Sequence, residues 1–431
     1  MVTAHAIGGR ADLSVPLEYF VVGAVLVLLI SFGALAVLWP EPRLQGGPDY
    51  SGSSGPRARP WPLGVIGVLG LILVIGQLWV PLMGLEPDPT RPTIAPVLVW
   101  VGLWLFVPFM SVFLGNWYAD LNPWRALARV YRLGGVERPH LLDRWGLWPA
   151  SVGLLGLTWF ELISASPGSP ATLGLVALAY TLFLLGAIAF AGKETALITF
   201  DLFTTQNRLF SAISPLGRTD RGRLVWRGWL RALTVIPEWR GLWVFVVVMI
   251  GTVTYDGASG AAWFGDVTAS LGRTQTGETL LLVLAVVVVG IAYLGACSVA
   301  ARLSDTGTSV ARVAQRFAHT LVPIALAYAF AHYFTLVLFE GQQLISAISD
   351  PLGLGWDLFG TAGRRTVFFL TSTTTVWYIQ VASIVGGHVL GVVLAHDRAL
   401  ADFGPGAIRS QYAMLSLMAA LTSLGLWVLA G

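Results

Sequence analysis

Histidine is the residue type in this sequence with the greatest capacity for chemistry. Four of the six histidines, His319, His332, His388 and His396, fall in the last third of the chain, in or beside strongly apolar stretches. A neutral imidazole ligates copper, zinc, iron and haem, and its ordinary pKa suits proton transfer. Polar groups in apolar surroundings are costly unless they serve a purpose. We therefore expect these four residues to bind a transition metal or haem, or to transfer protons.

The spacing of the histidines limits the ways in which they could bind a metal or haem together. His319 and His332 belong to one predicted helix, while His388 lies within the next and His396 at its inner edge. Thirteen residues rotate a helix by about 220° and advance it by roughly 20 Å, so His319 and His332 face different ways. Two stacked haems are therefore not predicted, whereas one haem between His319 and His388 fits. Alternatively each histidine is a hydrogen-bonding core residue, and His396, beside Asp397, is a helix cap.

A second set of residues predicts an outer polar pocket. Tyr328, His332 and Thr335 share one face of the helix that holds them, because they are four and three residues apart. Glu161 on an earlier helix and Glu340 at the end of this one are expected at a similar depth. These residues fit a proton relay in the outer half of the membrane.

Pro323 and a group of glycines are expected to shape the histidine region. A proline inside a helix leaves the carbonyl four residues earlier without its partner, and here that carbonyl belongs to His319. We expect a kink and a free backbone oxygen there. Gly386, Gly387 and Gly391 surround His388, where small residues allow close helix packing or leave room for a flat cofactor.

The composition defines the elements that must position these side chains. The chain has 431 residues, of which 55% are hydrophobic and only 11% are charged. So few charges cannot cover a soluble surface, which excludes soluble globular, disordered and coiled-coil proteins. The single cysteine, Cys297, excludes intrachain disulfides, iron–sulfur ligation by this chain alone and a cysteine-rich zinc site. The predicted fold class is all-α, a polytopic integral membrane helix bundle forming one domain over residues 1–431.

Hydropathy and arginine placement together predict about ten transmembrane helices. If the N-terminus is outside, 21 of the 26 lysine and arginine residues fall on the inner side. This bias is the normal orientation signal, so we predict a multi-pass protein of the cytoplasmic membrane with both termini outside, and no nucleic-acid partner despite a net charge of +3. The predicted spans are 16–39, 62–84, 94–116, 147–165, 171–192, 239–257, 279–301, 315–339, 366–395 and 410–430.

The segments between the spans are predicted to have different roles. Residues 40–61 are rich in glycine, serine and proline, which indicates a cytoplasmic linker. Residues 117–146 and 193–238 mix arginine with apolar residues and are predicted to lie at the inner interface, where a second membrane or cytoplasmic subunit could dock. Asn122 is expected to cap a short helix there. Residues 340–365 fit an outer loop or a re-entrant segment equally well.

Five stretches resemble a family of bacterial and archaeal multi-span membrane proteins that are often labelled fenitrothion hydrolase. The resemblance covers roughly 110–215 and 317–400 and implies a membrane-bound phosphotriesterase, with no assigned catalytic residues to carry over. The stretches are GNWYADLNPWRALARVYR, GLWPASVGLLGLTWFEL, LVPIALAYAFAHYFTLVLFEGQ, DPLGLGWDLFG and VWYIQVASIVGGHVLGVVLAHDRAL.

Four functional hypotheses follow. The first is a membrane protein in which the four histidines bind copper, zinc, iron or one haem for redox or metal-dependent chemistry. The second is a secondary transporter with a histidine and glutamate proton relay. The third is the organophosphate-type ester hydrolase that the resemblance implies, and the fourth is a scaffold subunit that docks partners through residues 194–232.

Overall fold

A computed structural model describes residues 16–46, 61–88, 91–219, 223–270 and 274–430. The chain is 73% helical with almost no strand, which confirms the predicted all-α helix bundle. Most of the predicted linker, residues 47–60, lies outside the described residues.

Eight helices in the described ranges are long and apolar enough to cross a membrane. Two shorter helices, of 16 and 15 residues, occupy two other predicted spans, so the count of ten stays a prediction. In chain order the ten are α1 (Leu17–Leu38), α2 (Trp61–Gly76), α3 (Ile94–Leu114), α4 (Trp148–Leu162), α5 (Pro170–Ala191), α6 (Leu242–Ser259), α7 (Gln275–Leu303), α8 (Val310–Glu340), α9 (Thr373–Phe403) and α10 (Ala407–Ala430), with α2 and α4 the short pair.

Shorter elements connect these helices. The predicted cap at Asn122 is confirmed, because its side-chain oxygen accepts a hydrogen bond from the Arg125 N–H at 2.8 Å. A small hairpin pairs Leu216–Arg218 with Leu224–Trp226. The short helices are Trp79–Leu82, Tyr118–Leu121, Pro123–Val130, Pro139–Trp145, Lys193–Phe200, Leu202–Ser211, Ala262–Ser270 and Gln343–Ser349.

The bundle is built around α6 and α8, since 67% of the apolar window of each is buried. α8 packs against α9, α6 and α3, and α9 in turn packs against α10 and α1. The α8–α9 contact depends on glycine, because a Cβ atom on Gly387 would lie 2.2 Å from the Ala327 Cβ. A Cβ atom on Gly391 would lie 3.0 Å from the Thr320 carbonyl oxygen. Gly387 and Gly391 therefore serve close packing and leave no space between the two helices at their level.

The region around Pro323 departs from prediction. α8 tightens into a 3-10 turn at Ala318–Leu321 just before the proline. The His319 carbonyl accepts a hydrogen bond from the Val322 N–H in this turn, so the predicted free oxygen at His319 is wrong. The physical reason is that a 3-10 bond from three residues ahead replaces the α-helical bond that Pro323 cannot make.

The ninth helix is displaced from its predicted position. It begins at Thr373 rather than near 366, and it continues to Phe403. His396, Asp397 and Arg398 therefore lie within the helix and are buried. The expectation that His396 caps the helix at the inner surface is wrong, because the helix continues two further turns beyond it.

Candidate functional site

The most concentrated chemistry in the bundle is a three-residue cluster around Asp256. Its Oδ2 atom accepts a hydrogen bond from the Tyr333 hydroxyl at 2.6 Å and faces the His332 Nε2 at 2.9 Å. All three side chains are buried between α6 and α8. We refer to Asp256, His332 and Tyr333 as the Asp256 cluster. A histidine and a carboxylate in contact can exchange a proton without large movement.

The sequence positions this cluster through a close approach of two helices. Gly257 follows Asp256 on α6, and a Cβ atom on Gly257 would lie 3.6 Å from the His332 Nδ1 and 2.1 Å from a methyl group of Val428. An added Cβ would overlap Val428, so a larger residue would push α6 away from α10, whereas the distance to His332 is an ordinary contact. His332 and Tyr333 are neighbours on α8, and their rings meet edge to face with centroids 4.7 Å apart.

A second carboxyl group lies near the Asp256 cluster. Glu161 on α4 is within electrostatic reach of Asp256 and Tyr333, and the Trp104 indole lies beside it. Among the described residues, no hydrogen-bond partner is found for the enclosed Glu161 Oε2. Burying two carboxyl groups together is costly unless each is paired or carries a proton. The arrangement is thus suited to exchanging a proton.

The residues predicted for the outer polar pocket are partly brought together. Tyr328 lies beside Thr254 and within electrostatic reach of Asp256. Like Glu161, it therefore borders the Asp256 cluster, which contains His332. Glu340 does not join them. It ends α8 two turns beyond His332, where its carboxylate accepts a hydrogen bond from the Gln343 side chain.

His319 and His388 have the same local geometry. The His319 Nδ1–H donates to the Arg316 carbonyl at 2.8 Å. The His388 Nδ1–H donates to the Ile384 carbonyl, also at 2.8 Å. Each Nε2 is buried and lacks a hydrogen-bond partner within the described part of the chain. Because a carbonyl can only accept, the proton is assigned to Nδ1, which leaves the Nε2 lone pair free.

The two rings do not lie at the same depth. Gly387 contacts Pro323 and Ala327, and Gly391 contacts Thr320, so His388 lies opposite the first turn after Pro323. His319 is about five residues, or roughly 8 Å, nearer the N-terminal end of α8. Over the described ranges, no three His, Cys, Asp or Glu side chains form a group that could hold a metal ion. Gly386 is open, with no atom of the described residues within 4 Å of an added Cβ.

His396 belongs to a separate contact near the C-terminal end of α9. Its Nδ1 faces the Gln411 Oε1 at 2.9 Å, and its Nε2 faces the Trp39 carbonyl at 3.0 Å. Asp397 beside it is fully buried and accepts hydrogen bonds from Arg43 N–H at 2.5 Å and Gln45 Nε2 at 2.7 Å. The pair fastens the chain after α1 to α9, which is a structural role.

Another buried carboxylate, Asp201, organises the segment 193–238, which was predicted to lie at the inner interface. Asp201 accepts hydrogen bonds from Thr204 at 2.6 Å, from Tyr180 at 2.9 Å and from Asn122 at 2.9 Å. Burial raises the pKa of Asp201 above its ordinary value, although these hydrogen bonds oppose the shift. The Thr204 bond caps the helix Leu202–Ser211, while the bonds from Tyr180 and Asn122 tie it to α5 and to the helix Pro123–Val130, so Asp201 holds the segment together.

Sequence reasoning missed Asp256 and Tyr333. The available signal was an acidic residue within an apolar helix, which is a functional candidate wherever it occurs in a membrane span. Asp256 stands near the end of its span in TVTYDG, where it is easily mistaken for the first residue of a loop. Its contact with His332 joins residues 76 positions apart, so periodicity could not reveal it.

Comparison with known proteins adds no assignment. No family model, no curated protein and no solved structure matches this chain. The resemblance to the family labelled fenitrothion hydrolase therefore stays a prediction.

Proposed function

We propose that this protein is a proton-handling membrane transporter in which the Asp256 cluster and Glu161 bind the proton. The observation that carries the proposal is the contact of Asp256 Oδ2 with both His332 and Tyr333 in the interior of the bundle. Ionisable residues inside a membrane protein that pair with one another are typical of proton relays. Of the hypotheses, the secondary transporter uses these residues most directly.

The chemistry is a proton transfer between adjacent groups. In the neutral state of the ring, the His332 Nε2–H and the Tyr333 hydroxyl both donate to the Asp256 carboxylate. A proton added at the His332 Nδ1 gives an imidazolium beside a carboxylate, and loss of that proton restores the neutral ring. Glu161 on another helix places a second carboxyl group within electrostatic reach of Asp256, so the charge of one affects proton binding by the other.

We infer that the protein crosses the cytoplasmic membrane ten times with both termini outside. Eight helices have the required length and composition, and α2 and α4 supply the two further crossings. The bias of arginine toward one set of loops supports this orientation. In it, the Asp256 cluster lies in the outer half of the bundle.

Proton movement can be measured on purified protein in sealed vesicles. The vesicles hold a pH-sensitive dye, and a potassium gradient with valinomycin drives proton entry. We expect uptake above that of protein-free vesicles, its loss in Asp256→Asn and Glu161→Gln, and its retention in the matched control Glu340→Gln. Wild-type uptake no faster than in empty vesicles, or unchanged uptake in Asp256→Asn, would contradict the proposal.

A second candidate function is metal or haem binding at His319 or His388. The favouring observation is that each ring donates Nδ1–H to a carbonyl and keeps a free Nε2, which is the usual arrangement of metal-ligating histidine. Copper, zinc, iron or haem would then serve redox or metal-dependent chemistry. Metal analysis and a visible spectrum of the purified protein test this, and a paraoxon hydrolysis assay on the same preparation tests the activity that the resemblance implies.

A further inference from the structure

His396, near the C-terminal end of α9, has an oxygen atom opposite each of its ring nitrogens. The Nε2 faces the Trp39 carbonyl at 3.0 Å, and the Nδ1 faces the Gln411 Oε1 at 2.9 Å. The side chain is 1% exposed, so these two oxygens are the partners that the ring must satisfy. A backbone carbonyl can only accept a hydrogen bond, which requires an N–H at Nε2.

The Gln411 amide is held in one orientation, which decides the atom that faces Nδ1. Its Nε2 donates to the Ala407 carbonyl at 2.8 Å, and turning the amide over would place two oxygen atoms against each other there. The Gln411 oxygen therefore faces His396 and accepts. A neutral imidazole has one N–H and satisfies only one of two acceptors, whereas the imidazolium donates from both nitrogens.

The neighbouring Asp397 carboxylate gives the ring a reason to carry a charge. Asp397 is fully buried, and among the described residues its hydrogen-bond donors are neutral groups of the segment 39–46. They are the Trp39 indole at 3.1 Å, the Gln45 side-chain amide at 2.7 Å and the backbone N–H groups of Arg43 at 2.5 Å and Leu44 at 3.1 Å. A buried carboxylate is costly without a nearby positive charge, and an imidazolium on the preceding residue supplies one.

The other charged or titratable side chains around His396 are directed elsewhere or exposed. Arg398 on α9 donates to the Thr234 carbonyl at 2.8 Å and lies within electrostatic reach of Asp397. α1 contributes the Phe32 ring, whose centroid is 6.3 Å from that of His396. The exposed groups on the segment 39–46 and on α10 are Glu41, Arg43, Arg409 and Tyr412. The buried charge nearest in sequence and in contacts to the His396 ring is therefore that of Asp397.

We propose that His396 and Asp397 form a pH-sensitive latch, which holds the segment 39–46 and the end of α1 on α9 and α10. When the ring is protonated, His396 donates to Trp39 and Gln411 at once. Loss of the proton sets a nitrogen lone pair against an oxygen lone pair, and the contact loosens. α1 depends on such an anchor because only 11% of its apolar window is buried. The latch is independent of proton binding between α6 and α8.

Hydrogen–deuterium exchange of the purified full-length protein in detergent tests the latch. The peptide that spans 39–46 contains the amides of Arg43 and Leu44, which donate to Asp397. Because the closed latch needs the proton, its contribution is present at low pH and is lost as the pH rises. After correction for the intrinsic pH dependence of exchange, we expect protection of these amides to fall at least about tenfold from about pH 5 to about pH 8.

Two controls isolate the effect of His396. The amides of Glu194 and Thr195 donate to Glu137, whose carboxylate stays ionised over this pH range, so their protection should not change. Glu41→Gln removes a charge from the segment 39–46 and should keep the pH dependence of the wild type. His396→Gln replaces the ring with a side chain that does not titrate, and it should abolish that dependence.

Each outcome bears on the proposal. Protection of the segment 39–46 that does not change with pH in the wild type would overturn it, and so would an unaltered pH dependence in His396→Gln. An equal change at Thr195 would assign the effect to global unfolding and would also overturn it. If His396→Gln fails to fold, Gln411→Glu decides the question. A carboxylate facing Nδ1 favours the charged ring and should move the transition to higher pH, and an unmoved transition would reject the latch.

Discussion

The buried carboxylate of Asp256 holds two neighbouring side chains of α8 in place. Two donors on one turn of α8 meet one oxygen atom of this side chain, at 2.6 and 2.9 Å. Hydrogen bonds to an ionised group are stronger than those between neutral groups. The ionisation state of Asp256 therefore determines how strongly Tyr333 is held.

Substituting two tyrosines separately measures how much stronger a hydrogen bond to the Asp256 carboxylate is than one to a neutral carbonyl. Tyr333→Phe removes a hydrogen bond to a carboxylate and should destabilise the protein by about 1.5–3 kcal/mol at neutral pH. Tyr293→Phe removes a bond from an equally buried hydroxyl to a neutral carbonyl and should cost only about 1 kcal/mol. Thermal unfolding in detergent gives both values. Equal losses at neutral pH would mean that Asp256 is not ionised beside Tyr333.

Helices meet in this bundle where side chains are small or absent. At the α8–α9 contact, Gly387 faces Ala327 so closely that an added Cβ would overlap it, whereas the adjacent Gly386 faces open space among the described residues. The same three-glycine motif therefore contains two positions that close packing requires, Gly387 and Gly391, and one that tolerates substitution, Gly386.

Alanine substitution separates the two positions. Gly387→Ala should force α8 and α9 apart and destabilise the protein by about 1–3 kcal/mol, the usual cost of overpacking. Gly386→Ala adds the same methyl group without a clash and should be neutral or slightly stabilising, because alanine favours the helix. Thermal unfolding of the two variants checks this, and similar melting temperatures would contradict the observed packing.

The short helix Lys193–Phe200 depends on a carboxylate from another segment. Glu137 accepts hydrogen bonds from the N–H groups of Glu194 at 2.9 Å and Thr195 at 3.0 Å. Burial alone would raise the pKa of Glu137, but these bonds and the Thr195 hydroxyl outweigh it and lower the pKa below the usual 4.5. Glu137 thus acts as a cap supplied from outside the helix.

Acid should remove the contribution of this cap. Because the folded-state pKa is lowered, the stabilisation is present above pH 4.5 and is lost as the pH falls through the lower folded-state value. Glu137→Gln should therefore cost about 0.5 kcal/mol at pH 7, after allowance for solvent screening, and almost nothing near pH 3. Melting temperatures of both proteins across this range provide the measurement. A difference that grows toward low pH would contradict the assignment.

At the scale of the whole molecule, the fold encloses the Asp256 cluster between α6 and α8 and leaves its peripheral helices to face lipid. α1 is the least enclosed of the eight long helices, with 11% of its apolar window buried, against 67% for α6 and α8. The proposed ten crossings place the connection between α4 and α5 outside the membrane and the segment around Asp143 inside.

Site-directed labelling tests the proposed crossings. The native Cys297 is fully buried, so introduced cysteines can be followed with little background. A membrane-impermeant maleimide should label Ser166→Cys in intact cells, because exposed Ser166 precedes α5 on the outer side. Asp143→Cys should react only after the membrane is opened. Labelling of both, or of Asp143→Cys alone, in intact cells would reject the proposed orientation.

The sequence by itself determined the class of protein, the approximate position of each long helix and the cap at Asn122. These features depend on local composition and on contacts a few residues apart, which a linear pattern records. It also directed attention to His332 and Glu161, because polar residues in apolar segments are conspicuous. It placed the start of α9 too early and gave His319 a free carbonyl, since neither helix ends nor a 3-10 turn can be predicted from hydropathy.

Only the tertiary structure decided which ionisable side chains meet. Asp256 and His332 lie on helices separated by a long apolar stretch of chain, yet their side chains are in contact, and Gly257 beside Asp256 leaves the space that Val428 of α10 occupies. The same packing separates His319 from His388 in depth, although sequence spacing allowed them to converge. Helix periodicity gives the face on which a residue lies but not the neighbour that this face meets, because the neighbour is chosen by packing across the whole bundle.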